Sequence, residues 1–366
     1  MRKVLIFGLI VISFFFLTSV ASAWWNENWQ YRREITVANT NNDVLTDYQV
    51  LVILNETNFN FSHASSNGSD IRFVDGDDST ELSYWIEEWN TSSQTAKIWV
   101  KVPHIPANSS VEIYIYYGNP TVASASDGSA VFEFFDDFED GDVSDWVQVY
   151  TGTLEASTEQ AKHGSYSLKI TSTSSSDAIH AERNFNYSSG VLTVWFYDHD
   201  PNLDENFWVK LKNSADYTVV CGVGKNEKVG YYSYRLGTTW HSTGISRSRG
   251  WHKVTFVVSG SSVKIYFDDE YQAETTSAND ISGISLGWIW ATISEYYDTV
   301  LVRKYASVEP SVTIGAEERY EKQPSASQKP LVVRKKKNDI SEGIVLGFGA
   351  ALIVIVFLMT RGGDRE

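Results

Sequence analysis

One cysteine, Cys221, stands among 366 residues, so the chain can form no disulfide within itself. A lone thiol is either buried and inert or free to bridge a second chain. Stability must then come from core burial, glycans or ions. Positive charge is also scarce: 30 Lys and Arg face 46 Asp and Glu, a net charge of -16. That deficit excludes a nucleic-acid partner, whose phosphates demand a basic footprint, and fits a soluble, self-repelling surface. No Gly-Lys-Ser/Thr phosphate loop occurs, and the seven histidines show no His-Glu-x-x-His spacing. The Gly283-Ile284-Ser285-Leu286-Gly287 match to a nucleophile elbow runs into a strand, whereas an elbow needs a strand, a sharp turn and a helix. Convincing helical periodicity is missing from everything between the two ends.

The long uncharged runs lie only at those ends. Arg2 and Lys3 precede an apolar stretch from Val4 to about Val20, and Ala21-Ser22-Ala23 supplies the small residues a signal peptidase accepts. Residues 1–23 read as an export leader; left uncleaved, it would be a second anchor with the intervening chain still outside. Residues 340–360 contain an uncharged core, Gly343 to Thr360, just long enough to cross a bilayer as one helix. Arg334 and Lys335 to Lys337 before the span outnumber Arg361 and Arg365 after it, which alone would turn the tail outward. The leader decides against that, because long domains behind a signal translocate regardless of nearby charge. The expected product is a single-pass cell-membrane protein with its bulk extracellular. Gly343 and Gly347 have the spacing that lets two membrane helices approach, by design or by chance. Asn55, Asn60, Asn67, Asn90, Asn108 and Asn186 each begin an Asn-x-Ser/Thr acceptor for glycosylation.

Between the ends, short runs of Val, Ile, Thr, Tyr, Phe and Trp alternate with Gly, Asn, Asp and Ser clusters, which predicts strands and turns. Ile98, Val100 and Val102 point to one face while Lys97, Trp99 and Lys101 point to the other; Val254, Phe256 and Val258 oppose Thr255 and Val257 in the same way. The predicted fold class is all-β: two β-sandwich, jelly-roll-like domains plus one C-terminal transmembrane helix. The expected boundaries are a first domain at 24–120, a linker at 121–130 and a second domain at 131–316. A stalk at 317–339, marked by Pro324 and Pro330, and a short tail at 361–366 flank the span.

Trp29-x-Tyr31-Arg32-Arg33, Gly68-Ser69-Asp70-Ile71-Arg72-Phe73, Leu82-Ser83-Tyr84-Trp85-Ile86-Glu87, Ile98-Trp99-Val100-Lys101 and Tyr116-Tyr117-Gly118-Asn119 carry one resemblance. Over Trp25 to Asp127 the chain resembles an uncharacterised domain family of exported archaeal and bacterial surface proteins, which brings no activity. Gly250-Trp251-His252-Lys253-Val254, the Val263 to Asp269 run and Tyr297 to Val302 carry another. From Val131 to Ala316 the chain resembles the concanavalin A-like lectin/glucanase superfamily in its laminin G-like form. This implies a jelly roll of two curved antiparallel sheets; the fold hosts lectins, adhesion modules and hydrolases alike. Retaining glucanases of this group carry Glu-x-Asp-x-Glu or Glu-x-Asp-x-x-Glu, and neither occurs here, so no catalytic residue is assigned.

For an ion, structural calcium is the candidate cofactor: Asp136, Asp137 and Glu139 at the second domain's first strand could meet Asp298 at its last. The resemblance adds that similar folds carry such a site. Asp198-His199-Asp200-Pro201-Asn202-Leu203-Asp204 spaces oxygen ligands like a calcium loop but has Leu203 where glycine is needed. Trp195, Trp208, Trp251, Trp288 and Trp290 lie within strands and are expected between the sheets. Tyr231, Tyr232, Tyr234 and Trp240 surround Gly237 and are the expected exposed contact for a glycan or surface protein. The reading that follows is a membrane-anchored extracellular binding or adhesion protein. A surface glycoside hydrolase and a purely structural envelope or virion protein are the alternatives.

Overall fold

A computed structural model describes residues 24–174, 178–203, 206–224, 230–290 and 292–321. The leader, the span, the tail and the stalk beyond residue 321 lie outside the described residues. Among the described residues no helix is long and apolar enough to cross a membrane.

The all-β expectation holds. The first lobe supplies β1 (Tyr31–Asn39), β2 (Leu45–Asn55), β3 (Arg72–Asp75), β4 (Glu81–Leu82), β5 (Tyr84–Asn90), β6 (Thr95–Ile105) and β7 (Ser109–Tyr117). After a single helical turn, α1 (Gly128–Val131), come β8 (Phe134–Asp136), β9 (Val147–Val149), β10 (Gly152–Ser157), β11 (Ser167–Ser172), β12 (Ile179–Tyr187), β13 (Gly190–Asp198), β14 (Phe207–Lys212) and β15 (Val219–Val223). The remainder are β16 (Tyr231–Leu236), β17 (Thr239–Ser246), β18 (Gly250–Ser259), β19 (Ser262–Phe267), β20 (Glu270–Thr275), β21 (Ile281–Ile289), β22 (Ser294–Arg303) and β23 (Ser311–Arg319).

Four sheets make two sandwiches. In the first lobe, sheet β23-β1-β7-β3-β4 faces sheet β2-β6-β5. Ile35, Val37, Ile113 and Ile115 on one side meet Val50, Val52, Ile98 and Val100 on the other, all out of water, which bears out the alternation read in β6. In the second lobe, sheet β10-β11-β22-β13-β18-β19-β20, with β8 on β22, faces sheet β17-β16-β15-β14-β21-β12-β9. Leu192, Val194, Val254 and Phe256 pack against Val209, Leu211, Leu286 and Cys221. Cys221 is wholly buried, and burial pushes its thiol pKa up, so it is inert. Gly260, at φ +56°, turns β18 into β19.

Two boundaries need correction. The second domain does not run to residue 316, nor does a stalk begin at 317, because β23 leaves the second lobe and pairs with β1, Val37 opposite Val312 and Tyr31 opposite Arg319. Its Val312 and Ile314 pack on the first core while the intervening residues face water, the pattern of a sheet edge. The linker is also fastened. Ser126 Oγ accepts the Ile86 N–H at 2.8 Å, the Asp127 N–H donates to Tyr84 O at 2.9 Å, and the Asp127 side chain caps α1.

A polar group sits within the second core. The Asp198 carboxylate is fully buried and held by Arg247 at 2.9 Å and by the Tyr232 hydroxyl at 3.0 Å. Nearby, Glu295 is 1% exposed with His199 Nδ1 3.4 Å away. Burial pushes the Glu295 pKa up to about 7, against the pull of His199. A carboxyl whose folded pKa exceeds its unfolded one favours folding below the unfolded value, and that contribution is lost as pH rises toward 7. Glu295→Gln is therefore expected to be near neutral at pH 4.5 and to stabilise by about 1–3 kcal/mol at pH 8. Thermal melts at the two pH values check this; equal shifts at both would remove the charge argument.

Candidate functional site

Sheet geometry creates the site on the second lobe. Along β14, Phe207, Val209 and Leu211 are buried while Trp208, Lys210 and Lys212 take the opposite face. Register then sets their neighbours: Trp208 lies opposite Gly222 on β15 and Gly287 on β21, and Lys210 opposite Val220 and Ser285. At Gly222, φ is +144° and a Cβ would come 2.7 Å from the Phe207 carbonyl oxygen, so only glycine fits beside Trp208. Gly287 has φ +109° and Trp288 φ +68°, a left-handed pair that breaks the register of β12 on β21. The extra residue brings Trp288 out of the interior onto the outer face while Leu286 and Ile289 stay buried. A left-handed tryptophan costs about 1–3 kcal/mol, a strain that clusters at functional sites.

The result is a strip of rings crossing the strands. Tyr150 meets His180 edge-on at 5.7 Å, His180 stacks on Trp288 at 4.2 Å, Trp288 neighbours Trp208 at 6.1 Å, and Trp208 neighbours Trp240 at 5.1 Å. Polar groups line it. Lys210 Nζ lies 5.5 Å from the Trp288 ring and the Arg235 guanidinium 5.8 Å from Trp240. Trp288 Nε1–H donates to Ser285 Oγ at 2.9 Å, and His180 Nδ1 lies 2.8 Å from Ala178 O. Burial lowers the His180 pKa, so the ring beneath Trp288 is neutral at neutral pH. Among the described residues of these strands, Glu182 is the single carboxylate on this face, and Lys212 Nζ holds it at 2.7 Å.

Of the predicted contact residues, the structure brings Trp240 onto this strip, where it is half-buried. Tyr231 is 44% exposed on the same sheet, and Tyr234 packs on the core and stacks on His241 at 5.0 Å. Tyr232 is a correction: alternation along β16 turns it inward, to 0% exposure against Phe267, with its hydroxyl on Asp198 and Ser248. Trp208 and Trp288, expected between the sheets, are outside. The parity Trp208 shares with Lys210 and Lys212 was the sequence signal.

The four carboxylates proposed for calcium are spread over N–H donors. Asp298 Oδ2 accepts from Lys162 N–H at 2.6 Å and His163 N–H at 3.1 Å. Glu139 Oε1 accepts from Ser165 and Tyr166 N–H at 2.7 and 2.6 Å. Asp136 takes the Phe138 N–H and the Trp146 indole N–H, and Asp137 the Glu139 N–H. Asp298 and Glu139 thus bind one segment, 162–166, without meeting as a ligand set, and among the described residues no three such side chains group to hold a metal ion. Burial raises Asp298 to about 7 and also raises Asp136 and Asp137. In the Asp198–Asp204 segment Asp198 is committed to Arg247, Asp200 accepts the Asn202 N–H, and Asp204 lies outside the described residues. Asn67, Asn90, Asn108 and Asn186 are exposed; Asn55 and Asn60 are half-buried, their side-chain oxygens bonded within their own turns.

A family model described as a domain of unknown function, DUF2341, matches residues 67–149, from the first lobe across the fastened linker into β9. No curated protein matches the chain. Among solved structures the chain is similar to "Cellulose induced protein, Cip1" at 12% identity and TM-score 0.38, covering 46% of this chain and 96% of that one. It is also similar to an endo-beta-1,4-glucuronan lyase from the fungus Trichoderma reesei at 14% identity and TM-score 0.34, covering 49% and 98%. A third is a xylan-binding domain from CBM 22, at 14% identity and TM-score 0.26, covering 47% and 94%.

Proposed function

We propose that this chain binds an extended glycan along the outer face of its seven-stranded sheet and does not cleave it. The setting is a cell surface, to which the leader and the C-terminal apolar run would deliver and tether it. The observation that carries this reading is the strip of Tyr150, His180, Trp288, Trp208 and Trp240. Indole faces stack on the apolar faces of sugar rings, and Lys210 and Arg235 stand beside them to meet hydroxyls. A row running across strands spaced about 4.8 Å apart suits a chain of sugars better than one sugar. The strained Trp288 and the glycine lanes beside Trp208 support the same reading, since neither improves the core.

The experiment is a glycan array with residues 24–329, in calcium and again in chelator, followed by titration of the best ligand. Trp240→Ala and Trp208→Ala are expected to weaken that ligand at least about tenfold without lowering the melting temperature by more than a few degrees. Binding that chelator abolishes would support an ion at the Asp136, Asp137, Glu139 and Asp298 carboxylates. A blank array in both conditions would move the function to a structural or protein-binding role, and turnover of any glycan would restore the hydrolase alternative.

A further inference from the structure

A cavity of about 320 Å³ separates the outer face of the first lobe's three-stranded sheet from the outer face of the second lobe's eight-stranded sheet. Register explains it. Leu51, Trp99 and Trp85 stand side by side across β2, β6 and β5. Opposite them, Thr193 and Trp195 stand beside Thr255 and Lys253 across β13 and β18. Both rows have the parity that points away from the cores, so each lobe turns a line of side chains toward the other.

The walls are held in place. Gln49 Nε2–H donates to Val131 O at 2.9 Å while Gln49 Oε1 accepts the Lys304 N–H at 3.0 Å, and Lys304 Nζ donates to Thr46 O at 2.8 Å. A cavity fixed this way needs no closing motion before it can bind. It continues into a neighbouring cavity of about 340 Å³ that shares Asp269 and Arg303 and passes Tyr266 toward Tyr305.

Three indoles line the first of these cavities, and Trp99 spends its Nε1–H on Glu87 at 2.8 Å. Lys162 and Lys253 lie 4.5 and 5.4 Å from the Trp195 ring, Arg303 lies 5.0 Å from Trp99, and Lys97 completes the rim. Of the charged groups there, Glu87 accepts from Trp99, Asp269 pairs with Lys253 at 2.7 Å and Arg303 pairs with Glu309 at 2.7 Å. In its lining Lys97, Lys253 and Arg303 outnumber Glu87 and Asp269, in a chain of net charge -16. His163, ring-on-edge to Trp85 and Trp195, registers the same field: burial first, then Lys162, Lys253 and Lys97, push its pKa down to about 3.

We infer that this inter-lobe groove binds a sugar unit that carries a carboxylate, its ring against the indoles and its charge beside Lys162, Lys253 and Arg303. The site shares no residue with the strip on the seven-stranded sheet and does not rest on it. The test is calorimetric titration of the full chain with digalacturonate and, as the neutral counterpart, cellobiose, each at low and high salt. Digalacturonate is expected to bind at least about tenfold tighter than cellobiose and to weaken with salt. Trp195→Ala and Lys162→Met should each cost about tenfold, while Trp240→Ala leaves this binding unchanged. Lys162→Met removes a half-exposed charge without opening a core, so it decides the matter even if Trp195→Ala fails to fold. Equal affinity for cellobiose, no binding of digalacturonate, or digalacturonate binding indifferent to Lys162→Met would each overturn the assignment.

Discussion

Ending the chain at Pro310 is expected to unfold the first lobe while the second stays folded. β23 pairs with β1 on the side away from β7, and its Val312 and Ile314 close the edge of the core built on Ile35 and Val37. The end of the strand does more. Glu317 accepts from the Tyr117 hydroxyl at 2.8 Å, lies 3.0 Å from His63 and neutralises Arg33 at 3.9 Å, and the Tyr320 N–H donates to Gln30 O at 2.8 Å. Removing these together exposes buried apolar surface and strands polar groups, a loss comparable with the ~5–15 kcal/mol that holds a domain together. Circular dichroism melts and limited proteolysis would show it: cleavage within residues 31–117 at a protease level that spares 131–303. Adding residues 311–320 as a separate peptide should restore protection. A truncated chain melting within a few degrees of the intact one would mean β23 decorates the sheet rather than completing it.

Arg32→Ala should cost about 3–5 kcal/mol, because it leaves a buried charge without its partner. The Arg32 side chain is 4% exposed, its Nη1 lies 2.6 Å from Asp78 Oδ2, and its Nε–H donates to Glu318 Oε2 at 2.9 Å. Tyr116 hydrogen-bonds the other Asp78 oxygen, and its own pKa is pushed up to about 12, by burial first and by that carboxylate next. The guanidinium is also packed between Trp24 and Tyr114, at 4.9 and 4.6 Å from their rings. Arg32→Met with Asp78→Asn removes both charges and keeps volume, so the double variant should be more stable than Arg32→Ala alone. Urea unfolding of Arg32→Met, Asp78→Asn and the double variant closes the cycle. Additive losses would show that the two residues do not act as a pair.

Strand content and several faces were legible because side-chain direction in a strand follows a period of two. Ile98, Val100 and Val102 went inward as read, and so did Val254, Phe256 and Val258. The same rule applied to β14 would have put Trp208 outside with Lys210 and Lys212, and applied to β16 would have put Tyr232 inside; the default burial of strand tryptophans misled the first reading and nearness to Gly237 the second. Trp288 was not legible, because one inserted residue inverts parity and only the left-handed Gly287-Trp288 pair reveals it. Nor was β23. Val312 and Ile314 alternate correctly, but nothing local says that a strand will pair with β1, some 280 residues earlier. The Arg32 motif pointed to a family, and the structure gives that arginine a buried ion pair as its task.

The return of β23 also determines where a mechanical load would travel. Trp24 and Tyr320, near the two ends of the described residues, have their rings 5.5 Å apart, and Tyr31 lies opposite Arg319. Tension applied across those ends meets β1 and β23 from their common end and peels them apart one hydrogen bond at a time, rather than shearing them all at once. Until that strand detaches, no force reaches the second lobe. The second lobe hangs in a side loop of the load path, latched by the nine residues of β23.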